Sequence, residues 1–134
     1  MPPDTKCRCA SGRLERRCCG PFLAGRPPPT PELLMRARYS AYALGDAAFI
    51  ITTTEPDSPQ WEPDGAAWRA SITTFTRSFR FRGVTILDAP LADGDVGFVT
   101  FTAHLEAGGV DRSFTELSRF VLRDRWRYHS GERA

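Results

Sequence analysis

"DVGFVTFTAHLEAGGVDRSFTELSRFVLR", residues 95–123, is the stretch on which the fold turns. In its first half Val99, Phe101, Ala103 and Leu105 alternate with Phe98, Thr100, Thr102 and His104, the period of two that marks a strand. Gly108-Gly109 supplies a tight turn. In the second half Glu116, Ser118 and Phe120 fall on one face and Leu117 and Arg119 on the other. Two such runs around a glycine pair predict an antiparallel hairpin. "VTILDAP" before it and "RWRYHS" after it, set off by Asp93-Gly94 and Asp124, extend the hairpin to four strands.

Upstream the period changes. Trp68, Ile72, Phe75 and Phe79 in "GAAWRASITTFTRSFRF" recur at helical spacing. "TPELLMRARYSAYALG" opens with Thr30 as N-cap, Pro31 at the first helical position and Glu32 in the first turn, and stops at Gly45. Asp46 caps a second, short helix from Ala47 to about Thr52, and "EPDSPQWEPDG" reads as loop. Three helices followed by a meander of long strands is an α+β arrangement. A strongly curved sheet wrapped around those helices would leave a conical interior.

The N-terminal end is of another kind. All four cysteines lie between Cys7 and Cys19, in the pattern Cys7-x-Cys9-x8-Cys18-Cys19. A disulfide reading requires either a bond between neighbours or a crosslink of the two pairs in an oxidising compartment. A single tetrahedral zinc ion accommodates a close pair from each end of a small loop more simply. Gly12 can turn the backbone toward the sulfurs, and Arg8, Arg13, Arg16 and Arg17 can offset the net negative charge of a tetrathiolate centre. A site filled by four protein ligands has no open position, so the expected role is structural. "GPFLAGRPPPTPELL" then reads as a stiff connector, with Phe22 and Leu23 placed to plug the loop against the body. The expected division is a zinc-binding motif over 1–24, a proline-rich linker over 25–30 and a body over 31–134.

With 134 residues, 41% hydrophobic and 25% charged, the chain has the composition of one soluble domain. No apolar run approaches membrane-spanning length, and "MPPDTKCRCA" has no secretory core segment, so a cytoplasmic location is expected and no membrane partner. Charge is divided unevenly. Residues 1–29 hold six basic side chains against Asp4 and Glu15, and the remainder holds twelve against fourteen acidic ones. The head is therefore +4 and suits an acidic partner. It has no aromatic residue inside the loop to stack on bases, so nucleic acid is the weaker choice.

Cys7, Cys9, Ser11, Gly12, Cys18, Cys19 and Gly20 resemble the SEC-C zinc motif, first known at the tail of the SecA translocation ATPase. There it contacts a chaperone and ribosomes, so the resemblance nominates ribosome- or translocation-associated partners. Ala10 stands where glycine is usual. Beyond the motif, "CCGPFLAG", "RYSAY" and "SRFV" followed by Trp126 and Tyr128 resemble, in that order, the YchJ family. Its members place a SEC-C motif before an NTF2-like domain. The resemblance implies an NTF2-like cone, in which Thr53-Thr54-Glu55-Pro56 and Thr115 replace positions where histidines are common.

Candidate residues follow from these placements. Glu116 and Ser118 would bind a polar ligand or move protons if they face the cone, and otherwise form a cross-strand network. His104, on the Phe98 face, is placed as a pocket residue or a hydrogen-bonded structural one. Glu55 is a third acid/base candidate. Arg36 and Arg38 are expected to be solvated, a buried one requiring Glu116 or Asp46 as partner. Arg119 is expected to pair with an acid from the helices. Arg38, Tyr39 and Arg119 are further pocket or interaction candidates, and Trp61 is a lid, a partner anchor or packing at the domain edge.

The leading functional reading is a noncatalytic protein whose zinc head docks on a macromolecule and whose body binds a partner or small ligand. The alternative is a small enzyme, isomerase- or dehydratase-like, with Glu116, His104 or Glu55 as acid/base in the cone. A homodimer through the sheets is the expected oligomer, if one forms.

Overall fold

A computed structural model of the chain describes residues 5–134. The first four positions of the expected 1–24 motif lie outside the described residues. A 3-10 turn, Glu15–Arg17, leads into helix α1, Cys19–Leu23, and then come α2, Pro31–Leu44, α3, Ala47–Thr52, and α4, Gly65–Ser78. Strands β1, Arg80–Asp88, β2, Val96–Ala107, β3, Val110–Asp111, β4, Phe114–Leu122, and β5, Trp126–Arg133, follow. The long strands form an antiparallel sheet in the order β1-β2-β4-β5, with the two-residue β3 paired to β2.

The helix boundaries follow their capping chemistry. Thr30 Oγ1 accepts from Leu33 N, Asp46 Oδ1 from Phe49 N and Asp64 Oδ1 from Ala67 N. Gly45 closes α2 in the left-handed region at φ 77°. The helical stripe that begins at Trp68 ends one residue earlier than its spacing suggests. Phe79 is already extended, and β1 starts at Arg80.

Helix α2 packs on one face of the sheet against β1, β2 and β5, with α3 and α4 packed on α2, and that face of β2 carries Val99, Phe101, Ala103 and Leu105, all buried. Register shifts at Phe81/Gly83 and Ile86/Asp88 in β1, and at Arg119/Phe120 in β4, bend the sheet around the helices. Bulges of this kind turn a flat meander into a cone.

Both sheet edges are covered. On the β5 edge, Tyr128 N donates to Thr53 O and Glu55 N donates to Tyr128 O, both at 2.8 Å, so the segment after α3 seals that strand. On the β1 edge, Val84 N donates to Cys9 O at 3.2 Å. The cysteine loop thus closes an edge that would otherwise present unpaired backbone groups. The contact is tight: a Cβ at Gly83 (φ 126°) would come within 2.7 Å of Ala10 Cβ.

Ala10 is itself the one described non-glycine residue with positive φ, at 64°. A left-handed conformation costs an L-residue roughly 1 kcal/mol, which glycine avoids. Ala10→Gly is accordingly expected to stabilise the protein by about 0.5–1 kcal/mol. A chemical-denaturation midpoint that fails to rise would remove strain at this position as a factor.

Candidate metal centre and ligand cavity

The four cysteine sulfurs lie within 4.8 Å of one another, and all four residues are buried. Cys9 Sγ is 3.6 Å from Cys18 Sγ, and Cys18 Sγ is 4.0 Å from Cys19 Sγ. A tetrahedral tetrathiolate with metal–sulfur bonds of about 2.3 Å has its sulfurs about 3.8 Å apart. The donor set therefore fits a metal ion, and all four cysteines are free thiols.

The chain assembles this cluster by local means. The backbone bonds Cys7 N to Arg13 O and Glu15 N to Thr5 O close the loop, and Gly12 turns it at φ 86°. The 3-10 turn then delivers Cys18 and Cys19 to the sulfurs of Cys7 and Cys9. Ser11 Oγ lies 3.2 Å from Cys18 Sγ, and Ser40 Oγ lies 3.8 Å from Cys7 Sγ.

Arg36 of α2, expected to be solvated, reaches a sulfur. Its Nη1 is 3.7 Å from Cys9 Sγ and 3.5 Å from Cys9 O, while Nε pairs with Glu32 at 3.3 Å. It lies on the helix face that meets the loop, so it serves the cluster from the body.

Without an ion the sulfurs cannot all ionise together. Donation from Cys19 and Cys7, aided by Ser11 and Arg36, holds the Cys9 thiol far below its usual range. Burial pushes Cys18 up to about 11. Cys19 is raised because its proton is needed in the hydrogen bonds to Cys7 and Cys9. A divalent cation held by Cys7, Cys9, Cys18 and Cys19 would take the place of those shared protons.

The knob formed by this cluster belongs to the main core. The four cysteines pack in one cluster with Leu34, Met35, Tyr39, Val84 and Phe101, and Phe22 and Leu23 of α1 lean on it. Tyr39 ties the layers together: its hydroxyl accepts from Gly83 N at 2.6 Å and donates to His104 O at 3.3 Å.

The second feature is a cavity of about 440 Å³ inside the cone. Trp68, Ile72, Phe75, Phe81, Leu105 and Phe114 line its apolar part. Its polar end is built around Tyr128. The Tyr128 hydroxyl accepts from Gln60 Nε2 at 3.0 Å and donates to Glu116 Oε2 at 3.5 Å. Ser118 Oγ donates to the same carboxylate oxygen at 2.7 Å, and Arg133 Nε lies 3.9 Å from Oε1. Gly131 makes room for this carboxylate, since a Cβ there would collide with Oε2 of Glu116. Burial, followed by the Glu116 charge, raises the phenol of Tyr128 well above its ordinary range, so it remains a donor.

Arg38 faces the same end and is only 6% exposed. It is thus not the solvated side chain its neighbours in sequence suggest; neither Glu116 nor Asp46 is in salt-bridge contact with it, and the Glu116 charge acts on it from a distance. Nη1 donates to Ile50 O at 3.0 Å, Thr53 Oγ1 at 2.8 Å and Thr54 Oγ1 at 3.1 Å. Those acceptors sit at the C-terminal end of α3, where helix carbonyls favour a cation. Its guanidinium carbon lies 4.4 Å from the centroid of the Tyr128 ring.

Of the expected candidates, Glu116, Ser118, Arg38 and Tyr39 converge on the cavity. The others do not. His104 lies on the outer face of the sheet, its Nε2 2.8 Å from Thr85 Oγ1, because the helices pack on the Val99 face of β2 and leave the Phe98 face to solvent. Glu55 is buried at the β5 edge, with Oε2 3.4 Å from Arg123 Nε, away from the cone. Arg119 is exposed on the outer face and pairs with no helix acid among the described residues. Trp61 is 37% exposed and packs edge-on against Trp68 at 5.1 Å, covering that wall from outside. Tyr128, Gln60 and Arg133 were not anticipated. For Tyr128 the signal was present, since alternation with Trp126 sends both inward.

A family model described as the middle NTF2-like domain of YchJ matches residues 30–131. The chain belongs to the YchJ family. A UPF0225 protein of Deinococcus radiodurans is 40% identical over 130 residues, covering 95% of this chain and 88% of that protein. The UPF0225 protein of Sodalis glossinidius is 39% identical over 132 residues, covering 93% and 81%. The solution structure of a SEC-C motif containing protein from Rhodopseudomonas palustris superposes with a TM-score of 0.83 at 34% identity, covering 97% of this chain and 99% of that one. The YchJ-family body thus has the NTF2-like fold expected of it, with the cysteine knob set against its β1 edge. No helix among the described residues is long and apolar enough to cross a membrane.

Proposed function

We propose that this chain is a zinc-stabilised binding protein whose cone holds a small molecule. The cavity carries this reading: about 440 Å³ with an aromatic wall and a few polar groups gathered at one end is the form of a small-molecule site. Zinc is the ion that suits a closed tetrathiolate centre best, one per chain, and its part there is to hold the knob.

The knob exposes Arg8, Arg13, Arg16 and Arg17. They support docking of the head on an acidic surface, such as a ribosome-associated one, while the body keeps its ligand. Catalysis in the cone is the second reading, and Glu116 favours it. It is the single carboxylate lining the cavity among the described residues, with Ser118 and Tyr128 in place to position it.

Filling the cavity tests the binding reading. Ala103 projects into it from β2. Ala103→Leu is expected to leave the melting temperature unchanged or slightly raised and to weaken binding of an apolar dye about ten-fold. Quenching of tryptophan fluorescence, to which Trp68 on the cavity wall contributes, reports that binding. Undiminished dye binding by a folded Ala103→Leu protein would place the ligand site elsewhere.

A further inference from the structure

The cone contains a buried cation, Arg38, on which the Glu116 charge acts only from beyond salt-bridge distance. Arg38 makes no salt bridge among the described residues, and its three hydrogen bonds all leave from Nη1. The N–H groups of Nε and Nη2, the edge of a guanidinium that takes a carboxylate in bidentate fashion, have no acceptor among the described residues. Glu116 does not fill the gap, because Ser118, Tyr128 and Arg133 engage its oxygens. The lining of the cavity carries Arg38 and Arg133 against Glu116 alone, one positive charge in excess. A charge held in a low-dielectric wall with no carboxylate in contact is costly, and an anion that enters the cavity relieves that cost.

We propose that the cavity takes a small monocarboxylate with an aromatic or aliphatic body, an inference that rests on the cone being a ligand site. The carboxylate accepts from Nε and Nη2 of Arg38. The body of the ligand lies along Trp68, Ile72, Phe75 and Phe81. Two features argue for one negative charge and not two: a single excess cation, and a wall that is mostly hydrocarbon and aromatic ring. The cation–π contact of Arg38 with Tyr128 fixes the plane of the guanidinium, so the approach of the carboxylate is set before it arrives.

The test compares three probes of one shape on the full, metal-loaded chain: phenylbutyrate, phenylbutyramide and phenylbutylammonium. Backbone amide shifts follow each titration. The expected result is shifts at Phe75, Phe81 and Phe101, with phenylbutyrate about ten-fold tighter than the amide and the ammonium weaker still. Arg38→Met is expected to bind acid and amide about equally, and if that variant does not fold, the comparison on the unaltered chain stands by itself. An amide or ammonium that binds as tightly as the acid, with shifts in the cone, overturns the anion assignment and leaves the cavity as a binding site. Shifts confined to outer-face residues such as Arg119 overturn the assignment as well. No shift from any probe at millimolar concentration overturns both this assignment and the binding reading.

Discussion

Stripping the metal from the purified protein with a chelator is expected to lower its melting temperature by about 10 °C or more and to disturb the whole body. The reason lies in where the sulfurs sit. The four cysteines share one core with Leu34, Tyr39, Val84 and Phe101, and Cys9 O holds the Val84 amide at the β1 edge. Arg36 of α2 donates to Cys9 at both its carbonyl and its sulfur. Losing the ion leaves four thiols crowded within 4.8 Å, with protons to redistribute and Arg36 facing a weaker acceptor. A cost of about 3 kcal/mol in a domain of this size corresponds to about 10 °C. Elemental analysis is expected to find one zinc per chain before treatment, and Cys18→Ser with Cys19→Ser is expected to reproduce the loss. A melting curve unchanged after the metal has demonstrably left would show that the knob is an ornament on a self-sufficient body.

The sheet, the three body helices and the cysteine cluster are legible in the sequence because each is written in local terms. Thr30 and Asp46 cap what they precede, and the two-residue period of Val99–Leu105 needs no knowledge of the rest of the chain. The period does not say which face is inward. Both faces of β2 carry a phenylalanine, and only the packing of α2 on the sheet sends Phe101 in and leaves Phe98 41% exposed. His104 follows Phe98 outward for that reason. Glu55 is misread differently: within a loop-like run of prolines and acids, it is the backbone bond to Tyr128 that draws it under the surface. The turn Glu15–Arg17 and helix α1 are too short to show a period, and they exist because the sulfurs on either side are gathered.

Arg38 is the clearest case of a side chain whose environment is not written near it. A charge of opposite sign would have been a visible cue, but its acceptors are a backbone carbonyl and two threonine hydroxyls. Those hydroxyls are aimed by their own donations to the carbonyls of Phe49 and Ile50, so each offers a lone pair to the guanidinium. Arg38→Ala removes these bonds and the contact with Tyr128, and opens a void continuous with the cavity; the expected cost is about 2–4 kcal/mol. Arg38→Met keeps the length of the stem and lifts the burden of desolvating a charge, which lowers the pKa of this guanidinium. The three acceptors keep partners in their neighbours, since Thr54 Oγ1 still donates to Ile50 O at 2.7 Å and Thr53 Oγ1 to Phe49 O at 2.7 Å. Arg38→Met is therefore expected to fall within about 1 kcal/mol of the unaltered protein in urea denaturation, well above Arg38→Ala. That ordering would mean folding alone does not require a cation in the cone, and that its reason lies in what the cone receives. A methionine variant as unstable as the alanine one would return Arg38 to a purely structural role.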